Sequence, residues 1–271
     1  MYPINLNAIA TFYFGFLVTL FCVLVGFMIE RIRPAQPQSA TATLFNVVYS
    51  ASAQFIQTLL MPMAGAFTVF AVNAGGGGAI ALNGGGWSFL PALAVYILAM
   101  DCGDYLFHRA QHRFQFLWSM HSLHHSDPGL NVSTTTRHFW AEYFIKSATV
   151  YLLLGLVFKA DPRIVMLYGL VGYYNYFSHM NLRLGFGRWS FIVNAPQYHR
   201  IHHSVLDGHR DCNFAALFPI FDLAFGTYRR PVPGEFPPTG LNPGDTPLSV
   251  FDAIFWPFRQ NQRHSSRSLL Q

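Results

Sequence analysis

Long apolar segments dominate the first hundred residues of this chain. The first runs for 22 residues from Ala8 to Ile29 without a charge, and a helix of that length can cross a bilayer. A cleaved signal peptide is disfavoured because no basic segment precedes the run and no small-residue cleavage site follows it. Arg31 and Arg33 come just after the run, so the positive-inside rule predicts that this end is cytoplasmic.

Two further apolar segments predict a second and a third membrane span. Leu44 to Val72 contains one proline and one glycine, which favours a single kinked span over a tight re-entrant pair. The uncharged, glycine-rich stretch 73–86 predicts a flexible loop on the far side of the membrane. Trp87 to Met100 then returns and runs on without a helix breaker. Residues 1–100 are therefore expected to form three transmembrane helices with one glycine-rich loop.

The segment after Met100 carries histidines at helical spacing. One pair stands at i, i+4, and two HxxHH triplets stand at i, i+3, i+4, which places the imidazoles along one face of a helix. His179, between the triplets, supplies a ninth candidate. The nine candidate ligands are His108, His112, His121, His124, His125, His179, His199, His202 and His203. Neutral imidazole binds iron, zinc and copper, and nine ligands exceed the three or four of one zinc ion. A two-metal site is predicted.

The rest of the chain is expected to surround this site. Residues 101–230 form the predicted catalytic region, and within it 139–178 reads as an apolar helical hairpin whose legs are short for full spans. Residues 231–271 are expected to form a proline- and glycine-rich strap and a disordered tail, and 250–258 to lie at the membrane interface. The predicted fold is an all-α integral membrane protein with about four transmembrane helices and a cytosolic, histidine-rich helical cap.

Composition agrees with a membrane protein. Of the 271 residues, 52% are hydrophobic and 11% are charged. The net charge of +5 is scattered rather than gathered in a basic stripe, so a membrane surface is a more suitable neighbour than nucleic acid. The three cysteines are far apart and form no CxxC pair, which disfavours both a disulfide framework and a thiolate zinc site.

Several polar residues are candidates to orient the ligands. Asp101 and Asp104 precede His108 by seven and four residues, on the same helical stripe. A carboxylate there can accept a ring N–H and fix the tautomer; alternatively, Asp104 pairs with a nearby arginine or caps a helix. Asp211 and Asn213 follow the second triplet and are candidates for the same task.

The other histidines have no partner at helical spacing. His138 and His209 are weak candidates, and His264 is excluded. The aromatic residues around Tyr173 to Phe177 favour bundle packing, although they are also suited to lining an apolar tunnel for a lipid.

The motifs DYLFHRAQH, LWSMHSLHHSD, TTTR, FSHMNLRL, PQYHRIHHS and FDLAFGTYRRP, along a match that runs from about Asp101 to Tyr228, resemble the fatty acid hydroxylase / sterol desaturase superfamily of membrane di-iron oxygenases. The resemblance implies that the nine histidines hold two Fe ions, with zinc as an alternative metal. It also implies O2 as co-substrate and hydroxylation, or desaturation, of a lipid such as a sterol or fatty acyl chain. Asn175 stands where some members have a further histidine, so it is a candidate weak ligand or ligand partner. Where relatives often read RxHPxE, Arg137 to Glu142 reads RHFWAE.

The resemblance also implies a partner protein. The chain contains no dinucleotide fingerprint, four-cysteine iron–sulfur pattern or haem-binding HPGG motif, so electrons are expected from an external donor of the cytochrome b5 or ferredoxin type. The alternative function is a non-catalytic membrane metal-binding or metal-transport protein. It is disfavoured because transporters place ionisable residues within their spans, whereas these histidines lie beyond the predicted span ends.

Overall fold

The computed structural model describes residues 6–83, 85–242 and 245–259, and these residues are mainly helical. The longer helices are α1 (Leu6–Glu30), α2 (Ala40–Ala74), α3 (Phe89–Arg113), α4 (Gln115–His125) and α7 (Pro162–Val171). The shorter helices are α5 (Glu142–Lys146), α6 (Leu152–Val157), α8 (Tyr174–Ser178), α9 (Pro196–His202), α10 (Ile220–Ala224) and α11 (Val250–Ile254). A π-helical turn (Ser147–Tyr151) joins α5 to α6, and two short strands are β1 (Ile80–Leu82) and β2 (Phe158–Ala160).

Three helices among the described residues are long and apolar enough to cross a membrane, namely Ala8–Glu30, Ala40–Ala74 and Gly86–Arg113. Only 11%, 0% and 22% of their most apolar windows are buried inside the protein, so most of this apolar surface is left for lipid. The prediction of three long helices before the catalytic region is confirmed. The second is one continuous helix that includes Pro62, so the re-entrant alternative is wrong.

The predicted hairpin, residues 139–178, is built from short elements. Its first leg is α5, the π-helical turn and α6, and its second leg is α7. No element of this hairpin in the described structure is long and apolar enough to join the candidate spans, so the expected count of about four is not confirmed. At the hairpin tip, β2 pairs in parallel with β1, with Ile80 opposite Phe158. The tip therefore lies beside the connection between α2 and α3.

The glycine-rich stretch was expected to be a flexible loop, and the structure corrects this in part. It contains β1, and its backbone lies tightly against β2. Gly78 has a φ of +92°, and a Cβ there would lie 2.7 Å from the backbone nitrogen of Lys159. Only glycine fits both this conformation and this close approach.

The histidine-bearing segment divides into two helices. As predicted, α3 runs on past Met100 and carries His108 and His112. It ends before Phe114, whose extended backbone (φ −104°, ψ 121°) separates α3 from α4. The chain thus turns between the histidine pair and the first triplet, and the two helices pack against each other.

The C-terminal residues cover the histidine region. The strap that follows residue 230 runs past α9, where Thr239 forms an antiparallel bridge with Ser204. The segment expected at the membrane interface has two faces: Trp256 is only 1% exposed and packs with Tyr49 and Met120, whereas Phe251 and Phe258 are 60% and 68% exposed. The predicted tail beyond residue 259, with His264, lies outside the described residues.

Candidate metal centre

The structure brings all nine predicted histidines together, in two adjacent groups. The first group is His108, His112, His121, His125 and His202. The second group is His124, His179, His199 and His203. Within each group, one ring nitrogen from every residue lies within 4.8 Å of the others. The arrangement can hold two metal ions.

The triplet spacing distributes ligands between the two groups. On α4, His121 and His125 are one turn apart and belong to the first group, whereas His124 belongs to the second. On α9 and its C-terminal cap, His202 joins the first group and His203 the second. Each HxxHH helix therefore serves both groups, which explains why the triplets are needed rather than isolated pairs.

The second group has the geometry of a compact metal site. The Nε2 atom of His179 lies 3.1 Å from that of His124 and 2.9 Å from that of His199. The Nε2 atoms of His199 and His203 are 3.2 Å apart. Nitrogens at such separations can surround a point about 2 Å from each, which is close to the usual metal–imidazole bond length.

In the first group, backbone carbonyls orient two of the ligands. The Nδ1 atoms of His108 and His202 each lie 2.8 Å from a carbonyl oxygen, of Phe214 and Cys212 respectively. These bonds direct Nε2 toward the centre of the group. Within the described structure, the Nε2 atoms of His108, His121 and His202 are buried and have no hydrogen-bond partner. A buried, unpartnered imidazole nitrogen is costly, and a bound metal ion would satisfy it.

Glu142 is the main residue of the site that the sequence did not identify as a candidate. Its Oε2 atom lies 3.2 Å from Nδ1 of both His121 and His138 and accepts a 2.6 Å hydrogen bond from Gln111. Burial alone would raise the pKa of this carboxyl, but the adjacent imidazoles outweigh burial and hold the pKa below its usual range. An ionised Glu142 can accept the ring N–H of His121 and leave Nε2 of His121 to the metal.

His138 was only a weak candidate, yet it lies at the site. Its ring stacks on that of His124 at a centroid distance of 4.0 Å, and it forms a third potential metal-binding group with His121 and Glu142. The altered motif RHFWAE therefore still brings a histidine to the centre. The i, i+4 spacing of His138 and Glu142 was the feature of the sequence that could have identified both as site residues.

The proposed aspartate partners differ in position. Asp211 lies 3.5 Å from Nδ1 of His112, and this interaction lowers the pKa of Asp211. Asp104 was expected to orient His108, but it pairs with Lys146 at 2.8 Å, while His108 uses the carbonyl of Phe214 described above. That expectation for Asp104 is therefore wrong.

Asp101 and Asn213 act on the backbone near the site rather than on a histidine ring. Asp101 accepts the backbone N–H groups of Leu217 and Phe218 at 3.0 and 2.8 Å. Asn213 has a φ of +58°, and its side chain accepts the N–H of Arg229 at 2.7 Å. Neither side chain makes the direct contact with a histidine ring that was expected. Both hold in place the segment whose carbonyls orient His108 and His202.

Two remaining predictions are changed by the structure. Asn175 contacts His179 through its backbone carbonyl, which lies 2.7 Å from Nδ1, and its side chain donates to the carbonyl of Gly172. His209 lies 3.3 Å from Glu235, outside both histidine groups. Asn175 is therefore a partner of a candidate ligand through its main chain alone.

Burial keeps the clustered imidazoles neutral. Removal from water lowers the pKa of His121 to about 4 and that of His179 to about 3. Burial, reinforced by neighbouring imidazoles, lowers the pKa of five further ligands well below the usual value, namely His124, His125, His199, His202 and His203. Because only neutral imidazole has a lone pair to give, this environment suits metal binding at neutral pH.

Two cavities reach the histidines from different sides. One, of about 240 Å³, is bounded by α3, α4 and the hairpin; it contacts the first group through His108 and the second through His124, and Tyr176 also lines it. The other, of about 340 Å³, borders His112, Trp118 and Asp211 beneath the C-terminal strap. The first cavity offers a route by which a substrate could reach both metal positions.

The chain is thus a helical protein with three candidate membrane spans and two buried histidine groups able to hold metal ions. The family model of fatty acid hydroxylases matches residues 93–227, which include every histidine of both groups. Through this region the chain belongs to the fatty acid hydroxylase family.

Curated relatives are similar to about half of the chain. Alkylglycerol monooxygenase of Danio rerio is 33% identical over 135 residues, 48% of this chain and 29% of that protein. The Homo sapiens protein of the same name is 32% identical over 132 residues, again 48% and 29%. Ornithine lipid hydroxylase OlsE of Rhizobium tropici is 26% identical over 145 residues, 54% of this chain and 44% of that protein. This chain therefore matches less than half the length of each of these relatives. No solved structure matches it.

Proposed function

We propose that this protein is a membrane di-iron oxygenase that uses O2 and external electrons to hydroxylate a lipid. The observation that carries the proposal is the division of nine clustered histidines, seven of them buried, into groups of five and four around two potential metal positions. The names of the relatives, alkylglycerol monooxygenase and ornithine lipid hydroxylase, support oxygenation of a lipid. The names of these relatives also favour hydroxylation over desaturation.

Iron fits the ligand set, because imidazole is a suitable ligand for it and the neutral rings leave their lone pairs available. Two iron ions would supply the oxidising power to place an oxygen atom from O2 in a C–H bond. The protein provides the ligands, a buried environment and the adjoining cavity. Glu142 and the carbonyls of Cys212 and Phe214 hold the histidine rings in orientation. The three candidate spans support the approach of a lipid to this cavity from the membrane.

The histidine-bearing end is proposed to face the cytoplasm. Glu30, at the end of α1, accepts backbone N–H groups of Val132 and Asn181, each at 2.7 Å, so the end of the first span lies beside the histidine region. Arg31 and Arg33 follow directly, and basic residues next to a span favour the cytoplasmic side. A soluble electron donor of the cytochrome b5 or ferredoxin type could reach the centre from that side.

The test combines metal content with labelled oxygen. We expect the purified protein to hold about two iron ions per chain and to transfer one atom of isotope-labelled O2 to a lipid in the presence of an electron donor. His124→Ala and His202→Ala each remove one ligand, from different groups, and both are expected to lose product and iron. Mass spectrometry of the metal and of the lipid measures both.

His209→Ala is the matched control, since His209 lies outside both groups, and it should keep iron and activity. Continued lipid oxidation by both ligand variants would refute the proposal. Metal flux across liposomes without O2 consumption would instead favour the transport alternative.

A further inference from the structure

An ion pair lies in the wall of the cavity that leads to the histidines. Lys146 Nζ is 2.8 Å from Asp104 Oδ1, and the hydroxyl of Tyr168 donates to Asp104 Oδ2 at 3.1 Å. The Lys146 and Asp104 side chains keep 19% and 17% of their exposure, and both line the cavity of about 240 Å³. Both side chains are therefore partly exposed toward that cavity, while Asp104 Oδ1 itself is buried.

The pair lies about one helical turn from the metal ligands. Asp104 precedes His108 by four residues on α3, and Lys146 follows Glu142 by four residues on α5. Four residues correspond to about 6 Å along a helix. Along α3, Asp104 therefore lies about one turn nearer the start of the helix than His108. When the pair holds a polar group of a ligand, the ligand atoms a few bonds from that group lie near the histidines.

The pair links α3 to the hairpin but is not used to orient the histidines. The ligands beside it are oriented by Glu142 and by backbone carbonyls. Asp104 lies on a candidate membrane span, where ionisable residues are expensive and usually functional. A desolvated ion pair contributes little net stability compared with apolar side chains of similar size.

The chemistry of the pair selects a neutral ligand that can both donate and accept a hydrogen bond. Asp104 can only accept while it is ionised, and the ammonium of Lys146 can only donate. An anionic group would be repelled by Asp104, and a cationic group by Lys146. A hydroxyl can accept from Lys146 and donate to Asp104 without adding charge to the cavity.

We propose that Lys146 and Asp104 bind a hydroxyl group on the polar end of the lipid substrate, and thereby fix which carbon lies at the histidines. The proposal rests on the proposed function and names its substrate class, a lipid with a free hydroxyl a few bonds from the oxidised carbon. Tyr168 is a positioning residue because it holds Asp104 in place. Lipids without such a hydroxyl would bind more weakly.

The test measures binding separately from turnover. The iron-loaded protein in lipid nanodiscs is titrated with a monoalkylglycerol and with its fully O-methylated counterpart, which cannot donate a hydrogen bond. The wild type is expected to prefer the first by about 10- to 100-fold, as for hydrogen bonds to charged groups. The double variant Asp104→Asn/Lys146→Met is expected to bind the two probes equally while it retains iron.

The double variant is chosen because Lys146→Met alone leaves Asp104 without its counter-charge and destabilises the fold. Tyr168→Phe removes only one hydroxyl and should reduce the preference several-fold. Lys159→Met is the matched control, since Lys159 is an exposed lysine at the hairpin tip, and it should keep the wild-type preference.

Two results would overturn the proposal: equal affinity of the wild type for both probes, or an unchanged preference in an iron-loaded double variant. If the double variant fails to fold, an unchanged preference in Tyr168→Phe would count against it in the same way. Failure of the proposed function is distinguishable, because it would appear as absence of oxygenated product from every lipid even where the binding preference is present.

Discussion

Glu142 joins the metal ligands to the hairpin, because its carboxylate contacts His121 and His138 from the first residue of α5. We predict that Glu142→Gln weakens iron binding by about 10- to 100-fold, as is usual when the partner of a ligating histidine is lost. The amide keeps the shape of the side chain but loses the charge that favours the N–H tautomer of His121. Titration of the metal-free protein with ferrous iron measures the change.

The matched control for this prediction is Glu235→Gln. Glu235 pairs with Arg229 at 2.7 Å and lies outside both histidine groups, so its loss should leave the affinity for iron unchanged. Equal affinity in Glu142→Gln and the wild type would show that the carboxylate does not support His121.

At the level of single residues, helical spacing predicted eight of the nine candidate ligands, since HxxHH fixes which rings share a helical face, whereas His179 stands alone in the sequence. The sequence did not assign the partners of those ligands. Asp104 is on the same stripe as His108, yet it pairs with a lysine 42 positions further along the chain. The carbonyls that orient His108 and His202 belong to a segment whose backbone includes two non-glycine residues with positive φ. No sequence pattern predicts such a loop.

At the level of elements, the hairpin packs closely against α3 because small residues permit it. A Cβ added at Gly103 would lie 2.8 Å from Cγ1 of Val150 and 3.2 Å from Cδ1 of Leu154. We predict that Gly103→Ala destabilises the protein by about 1–3 kcal/mol, as is usual for overpacking, and that it also loosens the side of the cavity. Thermal unfolding of the purified protein in detergent provides the measurement.

Gly65→Ala is the control for the packing of α3. Gly65 lies inside α2, and a Cβ added there has no atom within 4 Å. Alanine should keep or raise stability, because glycine in a helix interior costs about 1 kcal/mol relative to alanine. If both variants unfold at the wild-type temperature, the contact between the hairpin and α3 is looser than the structure indicates.

The long elements followed from uninterrupted apolar runs, whereas the hairpin did not. Charge-free segments of more than twenty residues leave few alternatives to a helix, and α1 and α2 agree with the prediction. The shorter run from Trp87 to Met100 gives the first part of α3. The hairpin legs are short, and their interruption by a π-helical turn depends on contacts with α2 and α3. The parallel pairing of β1 with β2 joins segments 78 residues apart. Such a pairing is decided by the packing of the helices between them, not by local propensity.

At the level of the whole molecule, the site closes only when distant parts of the chain converge. Glu30 at the end of α1 bonds to backbone groups of Val132 and Asn181, and Arg200 on α9 donates to the carbonyl of Pro237 in the strap at 2.9 Å. The sequence predicted a strap and an interfacial segment from proline, glycine and aromatic content. It could not predict that Trp256 packs inward while Phe251 and Phe258 stay exposed, because an aromatic run suits a membrane surface and a protein groove equally well.

Substitution of Trp256 tests whether the C-terminal segment supports the histidine site. It is 1% exposed, and its indole N–H donates to Ser122 Oγ at 2.9 Å, directly between His121 and Leu123 on α4. We predict that Trp256→Ala costs about 3–5 kcal/mol, the usual effect of removing a buried large aromatic side chain. It should also speed the loss of iron, because α4 supplies ligands to both groups. Thermal unfolding and iron retention during chelator treatment measure the two effects.

Trp87→Ala is the matched control, because Trp87 is fully exposed (100%) near the start of α3. It should unfold and release iron like the wild type. A Trp256→Ala variant that is destabilised but holds iron as firmly as the wild type would separate overall stability from the metal centre, and would assign the C-terminal segment to the fold alone. Faster iron loss at temperatures well below unfolding would instead establish that the last described residues of the chain support the ligands on α4, some 130 positions earlier.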